Sequence, residues 1–434
     1  MKLTLMSLVR ARVARILVAF VVLALTVAAV PAGRPEDVGL STERLQRINQ
    51  VVQRYIDAKE IAGAVTVVSR RGRVAHFEAQ GLMDIDRNAP MRKDGIFRMA
   101  SMTKPVIGVA IMIMLEEGRI RLSDPVSKFI PEFKNAKVAI EMPSTGGRGA
   151  AALAEGQPES ATEIYTVPAT RDITVRDLAT HTSGLVSGGA GTREANRIAP
   201  RDTSSNLAAY MPKLAHAPLD FQPGTQWRYS GLAGIDTLGR IVEVASGQTL
   251  DVFLKQRIFD PLGMKDTAFF PTDDRLPRVV SLYSRTPNGL KKTEAPSWLA
   301  SKTFFSGGAG LWSTGEDYLQ FAQMLVNGGE LNGKRLLSPR TIALMASNHV
   351  GDLYSQAGAT RRGMGFGLTV EVVLNPIDAN RRQSAGSFGW DGAFGTHFWV
   401  DPKEQMTGIL LIQQALNASL NRDFENAVMQ AIVD

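Results

Sequence analysis

The chain has 434 residues, 44% of them hydrophobic, enough for a large core and more than one compact unit of ordinary size. Its formal charge of +7 is not a nucleic-acid signature: Lys2, Arg10, Arg12 and Arg15 stand in residues 1–32 without an acid, which leaves +3 for the rest, and the basic residues do not cluster with aromatics as a nucleic-acid surface would. With no cysteine, disulfides and a thiol nucleophile are excluded.

The N-terminus opens with the basic stretch "MKLTLMSLVRARVAR", followed by the apolar run "ILVAFVVLALTVAAV" and the small residues Ala28, Ala29 and Ala32. This predicts a secretory signal peptide over residues 1–32, cleaved near Ala29 or Ala32. The run is short for a membrane span, which takes about 20 residues. Export to the periplasm or beyond is expected, with no stable span after cleavage; an uncleaved anchor is the alternative.

Beyond Gly33, Ser41 predicts a helix N-cap, and Leu45, Ile48, Val51, Val52, Tyr55 and Ile56 recur at helical spacing. "AGAVTVVSRRGRVAHFEAQG" reads as a hairpin turning at Arg71–Gly72. A helix is predicted from Ser101 to about Glu117, where Gly118 stops it. Residues 141–171 are rich in Gly, Ala, Ser and Glu and read as a surface insertion. From Ile173 to about Leu299 the pattern is helical with many breaks. "THFWV" and "MTGILLI" predict strands joined at Asp401–Pro402, and a last helix is expected over Asn421–Val433. Strands at both chain ends predict one sheet assembled from both, with a helical unit inserted between.

Among the five histidines no pair stands at i,i+4, which argues against a zinc hydrolase. No serine sits in G-x-S-x-G. Ser101 and Lys104 do form a candidate pair, Lys104 being the only lysine three residues after a serine. On a helix these positions share a face, with about 5–6 Å between Cβ atoms. At a helix start the unpaired N–H groups and the dipole favour a developing alkoxide, and a neutral lysine can take the serine's proton. Pro105 fits the first turn. A capping serine beside a snorkelling lysine would give the same spacing.

Six segments in order, "FRMASMTKPV", "DLATHTSGL", "FQPGTQWRYSGLAG", "IFDPLGMKDTAF", "SGGAGLWSTGEDYLQFAQMLVNGG" and "GWDGAFGTHFWVDP", resemble the serine β-lactamase-related hydrolases, most of all the family VIII carboxylesterases, which share the class C β-lactamase fold. The resemblance covers roughly residues 35–430. It implies an α+β fold, an antiparallel sheet flanked by helices plus an inserted helical subdomain. The sheet part is expected from about 33–100 and 300–434 and the helical part from about 101–299, all within one hydrolase domain over 33–434.

Carried over residue by residue, the resemblance places S-x-x-K on Ser101 and Lys104 and the family tyrosine on Tyr229, which alone follows "F-x-P-G-x-x-W"; Tyr283 and Tyr354, also followed by serine, are expected to be structural. Two departures matter. Gly231 stands where β-lactamases carry an asparagine, and K-T-G is replaced by "SFGWDGAFG". With Trp390, Asp391 and Gly392 in that place, recognition of a substrate carboxylate weakens and neutral esters gain. The resemblance then implies an oxyanion held by the N–H groups of Ser101 and about Ala393. In a shifted register Ser387 takes the lysine position and Trp390 supplies the N–H. His181 is expected to be structural, Asp177 and Glu316 solvated or capping, and Met112 and Met114 core filling.

The expected activity is hydrolysis of short-acyl carboxylic esters through an acyl-enzyme on Ser101, with Lys104 and Tyr229 as general base and acid. The expected partner is a small ester, with no cofactor, metal or nucleic acid. Hydrolysis of β-lactams or D-amino-acid peptides and amides is the alternative within the class, and a non-catalytic penicillin-binding sensor or scaffold the alternative outside it.

Overall fold

A computed structural model of the protein describes residues 29–142, 163–202, 204–296, 299, 301–415 and 417–434. The expected signal peptide up to Ala28 and the centre of the 141–171 insertion lie outside the described residues. The flanks of that insertion, Lys137–Glu141 and Ile164–Pro168, pair with each other as an antiparallel ladder.

The first helix, α1 (Thr42–Asp57), begins where Ser41 accepts a hydrogen bond from the Arg44 N–H, and it buries Leu45, Ile48, Val52 and Tyr55. Strands β1 (Gly63–Arg70), β2 (Arg73–Asp84) and β3 (Ala89–Pro90) follow. Arg71 and Gly72 both take positive φ, 50° and 74°, as a two-residue turn matching strand twist requires. The chain later returns with β4 (Met364–Phe366), β5 (Glu371–Val373), β6 (Phe388–Asp391), β7 (His397–Asp401) and β8 (Met406–Leu411). The eight strands make one antiparallel sheet ordered β4-β5-β6-β7-β8-β1-β2-β3. Both chain ends thus build it, and the β8–β1 pairing joins them.

β1 and β8 are covered on both faces. Val65, Val67, Ile409 and Leu411 point into the main core, and Ala64, Val68, Met406 and Leu410 into a second core under α1, as the alternation of strand side chains dictates. The second core is closed by α5 (Ala418–Met429). This last helix starts three residues before the expected Asn421, because the Asn417 side chain accepts from the Leu420 N–H and caps it there.

The central helix α2 (Thr103–Glu116) is preceded by a 3₁₀ turn at Ala100–Met102. Every residue from Thr103 to Met114 is buried, the condition of a helix apolar all round. One neighbour is α3 (Ala233–Ser246) of the helical segment; on the sheet's main-core face lies α4 (Gly315–Val326). The segment between 173 and 299 also contains a hairpin, Tyr283–Thr286 with Gly289–Lys292, which the helical pattern did not reveal. Among the described residues no helix is long and apolar enough to cross a membrane.

Candidate active site

Ser101 stands in the 3₁₀ turn that leads into α2, so Lys104 follows it one turn later. The two side chains meet, Lys104 Nζ lying 3.0 Å from Ser101 Oγ. Tyr229 reaches the same oxygen from the loop before α3, its hydroxyl 2.7 Å away. All three sequence-predicted residues therefore converge on one atom.

Lys104 is fully buried, which costs heavily unless its donors are met. It contacts the carbonyls of Gly231 at 2.6 Å and Gly308 at 2.7 Å as well as Ser101, so its buried nitrogen is met by polar partners on three sides. No carboxylate is among these partners. Each carbonyl is held in place. The Ser230 hydroxyl donates to the Leu185 carbonyl at 2.6 Å and accepts from the Gly234 N–H at 3.0 Å, pinning the turn that carries Gly231. Gly308 N–H donates to Asp236 at 2.9 Å, and Asp236 is itself buried against Arg201. A Cβ at Gly308 would lie 2.8 Å from the Leu232 Cα, so only glycine lets this carbonyl come so close.

The end of β6 approaches Ser101 from the other side. A Cβ on Gly392 would stand 2.4 Å from the Met99 carbonyl, and the Thr396 hydroxyl donates to that same carbonyl at 3.0 Å. Gly392 N–H donates to the Thr396 carbonyl at 2.7 Å. Antiparallel alternation puts the next hydrogen-bonded pair at Trp390 and Phe398, so the Trp390 N–H belongs to the ladder. Among the described residues, neither the Ser101 N–H nor the Ala393 N–H donates to a turn or loop carbonyl.

Ser101, Tyr229, Trp227, Tyr354, Trp390 and Ala393 line a cleft of about 320 Å3. Tyr354, expected to be structural, forms part of this wall, with its hydroxyl donating to Glu371 at 2.8 Å. Tyr283 is structural: it is buried, and its hydroxyl accepts from the Ile85 N–H. His181 is buried with its ring 4.8 Å from the Tyr229 ring and with no hydrogen-bond partner on either nitrogen. Burial, reinforced by the Lys104 charge, pushes its pKa well below the usual histidine value. Its ring packs edge-on against Tyr229. Asp177 closes a capping box with Thr174 and pairs with Arg171, and Glu316 is exposed in the first turn of α4.

Behind Trp390 lies a cluster that sequence reasoning missed. His397 Nδ1 is 2.5 Å from Asp391 and its Nε2 is 3.3 Å from Glu425; Glu425 also binds Arg381. Burial alone would lower the His397 pKa, but the two carboxylates outweigh it and hold the group at about 9. Burial likewise opposes ionisation of Glu425, yet His397 and Arg381 bring its carboxyl down to about 2. The two carbonyls on Lys104 were missed as well. The glycine pair in "SGGAG" was a usable signal for one of them. Trp227 stood in the very lead-in that identified Tyr229.

The family described as Beta-lactamase matches this chain over residues 48–430. A protein of Mycobacterium tuberculosis is 33% identical over 380 residues, covering 85% of this chain and 90% of its own. Esterase EstB of Burkholderia gladioli is 30% identical over 395 residues, with the same coverages of 85% and 90%. Among solved structures, EstCE1, described as a hydrolase with promiscuous acyltransferase activity, aligns with a TM-score of 0.74 at 28% identity, over 89% of this chain and 99% of that one.

Proposed function

The chain belongs to the beta-lactamase family, and on that premise we propose that it is a serine carboxylesterase. The observation that carries this reading is the Ser101 hydroxyl held by both Lys104 and Tyr229, beside a third motif in which Trp390 replaces the β-lactamase lysine. Its likeness to an esterase at 30% identity points the same way.

Ser101 Oγ attacks the ester carbonyl and its proton passes to Lys104, with Tyr229 bridging. The N–H groups of Ser101 and Ala393 receive the oxyanion. The tetrahedral adduct collapses as the C–O bond to the alcohol breaks, and the alcohol takes a proton from Tyr229. Water then attacks the acyl-enzyme, giving its proton to the same pair and releasing the acid and free Ser101. The cleft of about 320 Å3 suits short acyl chains. Export fits the N-terminal pattern, with cleavage near Ala29 or Ala32; cleavage at Ala29 would keep the Pro31 carbonyl, which accepts from the Val74 N–H on β2.

The test is a hydrolysis panel of short p-nitrophenyl esters beside nitrocefin and a D-alanyl dipeptide, with Ser101→Ala as control. Ester turnover that vanishes in Ser101→Ala, together with a fluorophosphonate label on Ser101 by mass spectrometry, supports the reading. A label on another serine, or faster turnover of nitrocefin or the dipeptide than of any ester, overturns it.

A further inference from the structure

Four ionisable side chains other than Tyr229 and Tyr354 come to the cleft or border its serine, and three of them are satisfied within the protein. Lys104 has its serine and two carbonyls. Asp391 is bound by His397 and by the Asn421 amide at 3.3 Å. Glu371 accepts from Tyr354 and stands 3.6 Å from Arg381. Arg361 differs. Its guanidinium lies 4.4 Å above the centre of the Trp227 ring and 5.0 Å from that of Tyr354. Its side chain makes a single hydrogen bond, a long one of 3.4 Å to the Ala357 carbonyl, and no carboxylate among the described residues pairs with it.

Stacking uses the flat face of a guanidinium and leaves its N–H edge free, in a geometry that matches a carboxylate with two parallel bonds. The two aromatic rings also fix that edge, so little side-chain freedom is lost on binding. Trp227 in turn stacks on Tyr229, ring centres 6.4 Å apart and planes within 19°, and the Tyr229 hydroxyl touches Ser101. The unpaired cation therefore shares one cleft with the nucleophile and is set off from it by two stacked rings. A half-buried cation with an open fork is matched best by an anion that the substrate brings.

We propose that Arg361 binds a carboxylate at the far end of the ester substrate. The substrate class is then an ester carrying a terminal carboxylate, either a half-ester of a dicarboxylic acid or an ester of a carboxylated alcohol. This rests on the esterase reading above. It returns to the site the anion recognition lost with K-T-G, through a residue from a different segment and farther from the reacting carbonyl.

The experiment compares kcat/KM for mono-p-nitrophenyl suberate with p-nitrophenyl octanoate, and for the butyrate ester of 6-hydroxyhexanoate with hexyl butyrate. The first pair places the anion on the acyl side and the second on the alcohol side. Wild type is expected to prefer the anionic member of one pair by about tenfold or more at low salt, as a charge-assisted pair allows. Arg361→Gln should lower kcat/KM for that anionic ester about tenfold more than for its neutral counterpart, and Arg361→Lys should restore part of the difference. Equal losses on both members, or an anionic preference that survives in Arg361→Gln, would overturn the proposal, as would no preference in either pair.

Binding of monomethyl suberate to the Ser101→Ala protein, measured by calorimetry, needs no turnover. It should weaken about tenfold when Arg361→Gln is added. Unchanged binding there sinks the Arg361 proposal even if esters are hydrolysed. Weakened binding upholds Arg361 as a carboxylate site even if the esterase reading fails.

Discussion

Lys104 and His397 are two buried bases on opposite sides of the cleft wall, 0% and 6% exposed, and they are bonded in opposite ways. Lys104 meets a hydroxyl and two carbonyls, all neutral. His397 lies between the carboxylates of Asp391 and Glu425, with Arg381 beyond. No carboxylate is among the bonded partners of Lys104. Loss of the proton from His397 would leave two carboxylates facing a neutral ring in a buried place, a cost of the kind that makes broken buried ion pairs strongly destabilising. Neutral acceptors around a buried base allow proton traffic; carboxylates around one lock the charge and brace the strand end that carries Trp390 and Ala393.

The largest expected effect sharpens that contrast on the Lys104 side. Lys104→Met should lower kcat by about 10²- to 10⁴-fold, the range of a general base, while circular dichroism shows the fold retained. A variant that keeps most of its activity would mean the lysine is only a structural post. Next comes Ala393→Pro, which removes one N–H while leaving the Trp390 ladder bond; kcat should drop about 10²- to 10³-fold. If the loss appears instead in Trp390→Pro alone, the shifted register is the right one. Tyr229→Phe should cost about 10²-fold in kcat, and neither Tyr283→Phe nor Tyr354→Phe should match it.

The smallest effect on turnover belongs to His397, and its signature is stability. Its pKa is raised in the folded chain from 6.5 to about 9, so its contribution is present in full below pH 6.5 and fades as pH rises through 9. Wild-type Tm should fall across that window relative to His397→Gln, which lacks the titrating ring. The difference amounts to about 3 kcal/mol at most. Glu371, Glu425, Asp391 and Arg381 all neighbour this ring or its partners. Its kcat should change far less than in the three variants above. A Tm difference that does not depend on pH would break the contrast with Lys104.

What the sequence by itself determined lies close along the chain or repeats along it. The Ser101–Lys104 pair was legible because i and i+3 meet on any helix. The Arg71–Gly72 hairpin was legible from its turn between two β-rich runs, and α1 from its apolar period. The two-ended sheet followed from where the strand patterns fall, and Tyr229 from its resemblance to a family motif. What only the tertiary structure decided depends on register and on distant backbone. Lys104 is received by carbonyls 127 and 204 residues away, and every residue type carries the same carbonyl, so no letter marks them. Whether Trp390 or Ala393 keeps a free N–H depends on which pair of the β6–β7 ladder is hydrogen-bonded, since one residue of slip exchanges the two sets. Arg361 reads as any surface arginine until folding lays it on Trp227 and Tyr354 with no carboxylate beside it among the described residues, a property of the whole surroundings and of no residue of the sequence.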